Sequence, residues 1–140
     1  MKSLHTKTSK MHIDGHGIFH KTVIENCHVD LEAVKESDKA TQEFTGGEKV
    51  LMLYDARPHF TLTEDAMEYA RKDIFNKQRI ATAIVSDKLG IKLMVDYIMN
   101  TVKSPIPIKV FSTKEEAMEW LLTFKKEETK SMKSKTISNT

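Results

Sequence analysis

The stretch Val50-Leu51-Met52-Leu53-Tyr54 decides the fold class, because an unbroken apolar run that ends at Asp55 is typical of a strand covered on both faces. A second such run, Ala81-Thr82-Ala83-Ile84-Val85, follows later in the chain. A third and shorter run is Ile108-Lys109-Val110-Phe111. Helical patterns separate the three runs, and strands that alternate with helices indicate crossover connections in a mostly parallel sheet. The sequence therefore predicts an α/β fold.

Two helices are predicted around the first of these strands. Asp30 is suited to cap a helix that runs to about Phe44, and Gly46-Gly47 end it. A second helix begins at Thr63 and runs to about Asn76. The apolar stripe of the first helix is Leu31, Val34, Ala40 and Phe44. The apolar stripe of the second helix is Ala66, Met67, Ala70 and Ile74.

The third helix has an unusually broad apolar face. It opens at Ser86 or Asp87 and ends before Ser104-Pro105-Ile106-Pro107, because proline cannot continue a helix. A helix on a sheet needs an apolar stripe of only about 100°. The wider face predicts a dimer contact or a pocket for a small apolar ligand, unless neighbouring helices or the Ile106 loop cover it. Its residues are Leu89, Leu93, Met94, Tyr97, Ile98 and Val102.

The two ends of the domain also carry clear patterns. Thr113 and Glu116 match a capping box, and the apolar residues of the helix that follows share one face. Near the N-terminus, two β-type runs flank Asp14-Gly15-His16-Gly17 and predict an antiparallel hairpin. The complete prediction is a mostly parallel sheet of about five strands with this hairpin at one edge and helices packed on the sheet.

Length and composition favour one globular domain. The chain has 140 residues, of which 39% are hydrophobic and 30% charged. We expect a flexible segment over residues 1–10, a domain over 11–124 and a basic, disordered tail over 125–140. No apolar run approaches the roughly 20 residues of a membrane span. Cys27 is the sole cysteine, which excludes an internal disulfide and favours a cytoplasmic location.

The charge pattern bears on partners. The net charge of +2 arises because both tails are basic and the body between them is mildly acidic. A nucleic-acid-binding domain carries a clustered basic face, so the pattern speaks against nucleic acid.

From Val50 to Leu121 the chain resembles small bacterial STAS/SEC14-like, anti-anti-sigma-like domains. The segments that carry the resemblance are Val50–Arg57, Phe60–Ala66, Ala81–Val85, Pro107–Phe111 and Glu115–Leu121. The resemblance implies a STAS-like fold and a non-catalytic regulatory or protein-interaction domain, whose partner is a protein such as a regulatory kinase or a second copy. Its SEC14 side implies an alternative, a binder of a small apolar ligand or lipid.

The resemblance also implies a modification site. In the anti-anti-sigma branch, a partner kinase reversibly phosphorylates a serine or threonine that follows the strand corresponding to Val50–Tyr54. Thr61-Leu62-Thr63 occupy that place, so Thr61 and Thr63 are candidate phosphorylation or interaction residues, although the family's aspartate-serine-glycine signature is missing. On residue chemistry alone, Thr63 is suited to cap the second helix.

Polar residues at the carboxyl ends of the strands form a candidate rim site: Asp55, Arg57, His59, Ser86 and Asp87. Ligands of open α/β sheets bind at this edge, but the same residue types also cap helices and turns. Asp55, Ser86 and Lys109 follow the order of a receiver-type phosphoaspartate site. Such a site needs an acidic pair after its first strand to hold magnesium, and that pair is missing.

Histidines and nucleophiles give no case for an enzyme. His12, His16 and His20 are four residues apart, but Gly15 and Gly17 oppose a helix there. Across a hairpin, His12 and His20 approach each other and supply at most two ligands, so we predict surface histidines and no metal. The sequence also lacks a nucleophile elbow, a phosphate-binding loop and a dinucleotide fingerprint. We therefore expect no catalysis and no cofactor.

Overall fold

A computed structural model describes residues 3–73, 79–101 and 106–125 of the chain. In chain order the strands and helices are β1 (Ser3–His5), β2 (Ser9–Ile13), β3 (Phe19–Val23), β4 (Cys27–Val29), α1 (Leu31–Thr45), β5 (Val50–Asp55), β6 (Phe60–Leu62), α2 (Glu64–Asp73), β7 (Arg79–Val85), α3 (Leu89–Thr101), β8 (Ile108–Phe111) and α4 (114–125). None of the helices in these ranges is long and apolar enough to cross a membrane.

Six strands form the main sheet, in the order β1-β2-β3-β5-β7-β8. Strands β3, β5, β7 and β8 run parallel, whereas β1 and β2 add two antiparallel pairings at one edge. The predicted α/β class, parallel sheet and N-terminal hairpin are confirmed. The main sheet has one strand more than the predicted five, because Ser3–His5 pairs with β2 although its exposed side chains show no apolar pattern.

Both faces of the sheet are covered, which is why its central strands are continuously apolar. On one face, Leu51 and Leu53 of β5 pack with Ala117 and Leu121 of α4. On the other face, Met52 packs with residues of the hairpin and α1. The strand register places Ala83 beside Leu53 and Ile84 beside Tyr54, so β7 repeats the same alternation.

Helix α1 has the predicted caps but a different buried face. The Asp30 carboxylate accepts a hydrogen bond from the Ala33 N–H at 2.8 Å, and Gly46 ends the helix in the left-handed region at φ 65°. The predicted stripe is only half-buried, and the buried residues are Ala33, Ser37 and Thr41. Small polar side chains are tolerated there because Ser9 and Lys21, on the strands beneath, hydrogen-bond to them.

Helix α2 begins at Glu64, so Thr61 lies in the short strand β6. Strands β4 and β6 form a separate parallel ladder that pairs Cys27 with Phe60 and Val29 with Leu62. Of the predicted α2 stripe, Ala66 is buried against Val29, whereas Met67 and Ala70 are exposed. Ile74 and the predicted end at Asn76 lie outside the described residues.

The predicted boundary at residue 11 stays a prediction, but strand residues precede it. Ser9 and Lys10 belong to β2, and β1 pairs with β2 ahead of them. At the other end Lys125 is helical and its ammonium donates to the His16 carbonyl. Residues 126–140 of the predicted tail lie outside the described residues.

Candidate functional site

The rim at the carboxyl ends of the strands centres on an ion pair between the buried Asp55 carboxylate and the partly exposed Arg57 guanidinium. The side chain of Asp55 is 4% exposed, and the Arg57 guanidinium donates to its two oxygens at 3.0 and 2.8 Å. The Arg57 backbone N–H donates to the same carboxylate at 3.1 Å, and the Lys114 ammonium lies 3.8 Å away. Asp55 therefore holds the loop after β5 against the start of α4.

The electrostatics of Asp55 reflect these donors. Burial alone would raise the pKa of the carboxyl, but the hydrogen bonds from the Arg57 side chain and backbone outweigh it and hold the pKa below 3.8. The charges of Arg57 and Lys114 act in the same direction. Asp55 is consequently an ionised structural anchor at neutral pH.

The other predicted rim residues have separate surroundings. The buried Ser86 hydroxyl accepts the Lys88 N–H at 3.1 Å and so shapes the turn that enters α3. The exposed Asp87 lies close enough to Arg57 to raise the pKa of its guanidinium, an effect that Asp55 dominates. His59 lies beside β4, where its carbonyl accepts the Asn26 N–H at 2.6 Å.

These placements favour the alternative that the rim residues shape turns. The structure brings together Asp55, Arg57 and Asp87, but Arg57 and Lys114 already engage the Asp55 carboxylate. The receiver-type order is also not assembled, because the Lys109 ammonium lies over the Phe111 ring at 5.4 Å.

Thr61 and Thr63 have different surroundings although they are two residues apart. Thr61 is exposed on β6, and its hydroxyl lies 2.7 Å from Nδ1 of His28 on β4. Thr63 contributes to the cap of α2, because the Ala66 N–H donates to the Thr63 hydroxyl at 3.3 Å as well as to the Asp65 carboxylate at 2.9 Å. The Thr63 hydroxyl also donates to the Asp65 carboxylate, which lowers the pKa of that carboxyl.

Phe60, next to Thr61, connects this segment to α3. The Phe60 side chain packs against the cluster that contains Val95 of α3 and Ala56. The Lys88 ammonium lies 4.7 Å from the centre of the Phe60 ring, a cation–π contact, and donates to the Ala56 carbonyl at 3.5 Å. The entry to α3 is thus held by the loop that leads to the candidate threonines.

Helix α3 exposes a row of large apolar side chains. Leu89, Leu93 and Tyr97 are 68%, 58% and 68% exposed, and their spacing of four residues aligns them on one side of the helix. Val95 is buried, and Ile91 and Met99 pack beside it against the sheet. Met94 and Ile98 are half-buried, and Val102 lies outside the described residues. The broad face therefore divides into a covered side and an uncovered row, which we call the α3 row (Leu89, Leu93, Tyr97).

The hairpin contains a cluster that the sequence analysis placed at the surface. His20 is buried, its Nε2 lies 2.7 Å from the Asp14 carboxylate, and its ring stacks on that of His12 with centroids 4.5 Å apart. The predicted approach of His12 and His20 is correct, but the surface placement of His20 is wrong, because its ring is buried beside the half-buried Asp14 carboxylate. The symmetry of the two histidines about the Asp14–Gly17 loop is the signal that finds the pair.

Burial is the main effect that opposes protonation of His12. Burial lowers the pKa of His12 below 6.5, and the nearby His20 and Lys114 add to the effect, while Asp14 opposes it. For Asp14, burial is outweighed by hydrogen bonds from His20 and the Ile18 and His16 N–H groups, so its pKa is lowered. Within the described ranges, no three His, Cys, Asp or Glu side chains come together to hold a metal ion.

Comparison with known proteins finds one family and a structural neighbour. The sequence model of a domain of unknown function, DUF7793, matches residues 11–125. An uncharacterized DUF3478-family protein from Shewanella loihica PV-4, solved by crystallography with a SpoIIAA-like fold, is similar with a TM-score of 0.62 and 14% identity. The similarity covers 86% of this chain and 98% of that one, and it confirms the predicted STAS-like fold. No curated protein matches the sequence.

Proposed function

We propose that this chain, which belongs to the DUF7793 family and has a SpoIIAA-like fold, is a non-catalytic domain that binds a protein partner through the α3 row. The exposure of Leu89, Leu93 and Tyr97 carries the proposal. Each side chain keeps much of its apolar area in water on a helix whose other side is packed, and contiguous apolar patches of this kind mark interaction surfaces. We assign this function to the cytoplasm, the compartment that the single cysteine favours.

The alternative, a carrier of a small apolar ligand or lipid, has less support. The α3 row is a protruding edge of a helix, whereas ligand sites are concave and enclose most of the ligand. A surface groove of about 620 Å³ runs along α2, and its lining residues are Glu64, Asp65, Met67, Glu68 and Arg71. All of them except Met67 are charged. A lining of this composition does not suit an acyl chain.

A non-catalytic role is supported by the contacts of the rim. The Asp55 carboxylate is engaged by Arg57 and Lys114, and the Ser86 hydroxyl by the Lys88 N–H. A general base must reach the proton that it takes from the substrate, whereas the Asp55 carboxylate is only 4% exposed. These groups instead hold the loops from which α3 and α4 start.

Phosphorylation at Thr61 is the regulatory part of the proposal. A partner kinase would transfer the γ-phosphoryl group of a nucleoside triphosphate to the exposed Thr61 hydroxyl. The bond between the γ-phosphorus and the β,γ-bridging oxygen breaks, the nucleoside diphosphate leaves, and the hydroxyl proton is released. The phosphate would lie beside the His28 ring, whose N–H can donate a hydrogen bond to it. At Thr63 the phosphate would face the Asp65 carboxylate and be repelled, so Thr61 is the better acceptor. Phe60 and Lys88 provide a contact route from Thr61 to the α3 row.

Site-specific photo-crosslinking in the native cells tests the binding surface. A photoreactive phenylalanine replaces Leu93 in one variant and Glu119, exposed on α4 across the sheet, in a matched control. We expect one discrete protein adduct from position 93 that position 119 does not form, and loss of that adduct when Tyr97→Ser is added. Equal adducts from both positions, or none from position 93, would contradict the proposal.

Mass spectrometry of the protein from its own cells tests phosphorylation at Thr61 and the alternative of a ligand carrier. Phosphate on the peptide that contains Thr61, absent in a Thr61→Ala variant, supports the regulatory part. Phosphate on Thr63 alone, or an unmodified peptide under all growth conditions, contradicts it. A lipid that dissociates on denaturation would move the assignment to the ligand carrier.

A further inference from the structure

The exposed side of α3 is self-complementary, and this property identifies a partner. We propose that the α3 row binds a second copy of this chain, with the two α3 helices antiparallel about a two-fold axis near Leu93. The inference rests on the proposed function, because it names the partner of the same surface. Three pairs of positions on α3 support this antiparallel arrangement.

The first pair is apolar. Leu89 and Tyr97 lie four residues to either side of Leu93 on the same exposed row. A two-fold axis at Leu93 brings the two copies of this leucine together and places each Leu89 at the level of the second copy's Tyr97. In such an isologous contact each residue pair occurs twice, because a residue that contacts a given position of the second copy is contacted by its own counterpart at the same position of the first copy.

The second pair matches a large side chain with a space. Gly90 lies on the same flank of the row as Tyr97, and an added Cβ at Gly90 would meet no atom within 4 Å. The antiparallel arrangement brings the second copy's Tyr97 to the level of Gly90. The phenol ring therefore meets open space there and can lie against the backbone of the helix.

The third pair is charged. Lys92 and Asp96 are exposed on the opposite flank of the row, and in the described part of the chain neither forms an ion pair. The antiparallel arrangement places Lys92 within reach of the second copy's Asp96, and the symmetry makes this contact twice. The midpoints of all three pairs fall within one residue of each other, about 1.5 Å along a helix.

The size of the contact sets the expected strength. Helix α3 has 13 residues, so it is about 20 Å long. A contact between two helices of this length lies at the low end of specific interfaces, below about 1,200 Å² in total. The dimer should therefore dissociate on dilution and must be measured over a range of concentrations.

Charge reversal on the full chain tests the arrangement, with sedimentation velocity as the readout. The wild-type protein should form dimers that dissociate on dilution. Lys92→Asp makes the flank wholly acidic and Asp96→Lys makes it wholly basic, so each should weaken self-association about tenfold or more. The double variant Lys92→Asp/Asp96→Lys restores the pairing and should dimerise again. An equimolar mixture of the two single variants should form heterodimers.

Lys39→Asp, a charge reversal at an exposed position of α1, is the matched control and should dimerise like the wild type. Circular dichroism melting of each variant confirms that it is folded. A wild-type protein that is monomeric at every concentration overturns the inference. Dimers that neither single reversal weakens also overturn it, because they assign the interface to another surface.

The crosslinking experiment separates this inference from the proposed function. A monomeric chain whose position 93 captures a different protein excludes the second copy and leaves the binding function in place. A monomeric chain with no adduct at position 93 removes both. A homodimeric adduct at position 93 that the Lys92→Asp variant loses supports both.

Discussion

The Asp55–Arg57 pair is the residue-scale contact with the clearest energetic consequence. Arg57→Ala leaves a buried carboxylate with only its backbone donor and the more distant Lys114. Removing one partner of a buried charge leaves the other incompletely solvated. We expect Arg57→Ala to lower the free energy of unfolding by about 2–3 kcal/mol at pH 7, as measured by urea denaturation.

The pH dependence of that loss has a definite sign. The pKa of Asp55 is lowered in the folded state, so its contribution is present above pH 3.8 and is lost as the pH falls through the folded value. The difference between wild type and Arg57→Ala should therefore shrink below about pH 4. Arg71→Ala on the exposed side of α2 is the control, with an expected change within about 0.5 kcal/mol. Equal losses for both variants would contradict the role of the pair.

His12 gives a second residue-scale prediction. Because burial, His20 and Lys114 lower its pKa, the unfolded chain binds a proton more readily than the folded one just below pH 6.5. Stability should fall as the pH drops through this range, and the His12→Gln variant should show a flatter profile. An NMR titration of the ring protons measures the pKa directly, and a His12 value at or above 6.5 would be inconsistent with the stacked geometry. His5→Gln in β1 is the control.

At the scale of elements, the start of α2 distinguishes a cap from an exposed hydroxyl. Thr63 accepts the Ala66 N–H, whereas Thr61 contacts only the exposed His28 among the hydrogen bonds described. We expect Thr63→Ala to cost about 1 kcal/mol of stability and Thr61→Ala less than about 0.5 kcal/mol. Guanidinium denaturation of the two variants tests this difference. A larger loss for Thr61→Ala would reverse the assignment of the cap.

Helix α3 shows where an element-level pattern stops being informative. The predicted face named Leu89, Leu93 and Tyr97 as apolar, and the structure leaves all three exposed. The residue that anchors the helix is Val95, which the sequence analysis did not assign to the face. The spacing of apolar residues indicates that the helix has a broad apolar face. It does not indicate which part of that face the sheet covers, because the position of the sheet is a tertiary property.

At the scale of the whole molecule, two leucines of opposite exposure measure what holds α4 on the sheet. Leu121 is fully buried among residues of β5 and β7, whereas Leu93 is 58% exposed. We expect Leu121→Ala to cost about 2–5 kcal/mol and Leu93→Ala less than about 1 kcal/mol. Urea unfolding at low protein concentration, where self-association does not contribute, makes the comparison. Similar losses would show that α4 does not rest on this core.

Sequence patterns were sufficient to predict the α/β class, the parallel strands β5, β7 and β8, the hairpin and the caps Asp30, Thr63 and Thr113. These features depend on local periodicity and on hydrogen bonds between residues close in the chain, which composition and spacing encode directly. Strands β4 and β6 are not predicted from the sequence. Cys27–Val29 and Phe60–Leu62 are each too short to show a pattern, and they become strands only by pairing with each other.

Burial of the candidate residues follows from tertiary packing. Asp55 and Ser86 are predicted rim-site residues, and in the fold they are buried with the Arg57 guanidinium and the Lys88 N–H as partners. His20 was a surface histidine in the sequence, and the fold buries it beside Asp14. These partners are close in the chain, but the burial of Asp55, Ser86 and His20 depends on distant segments that surround them only after the sheet and its helices have packed.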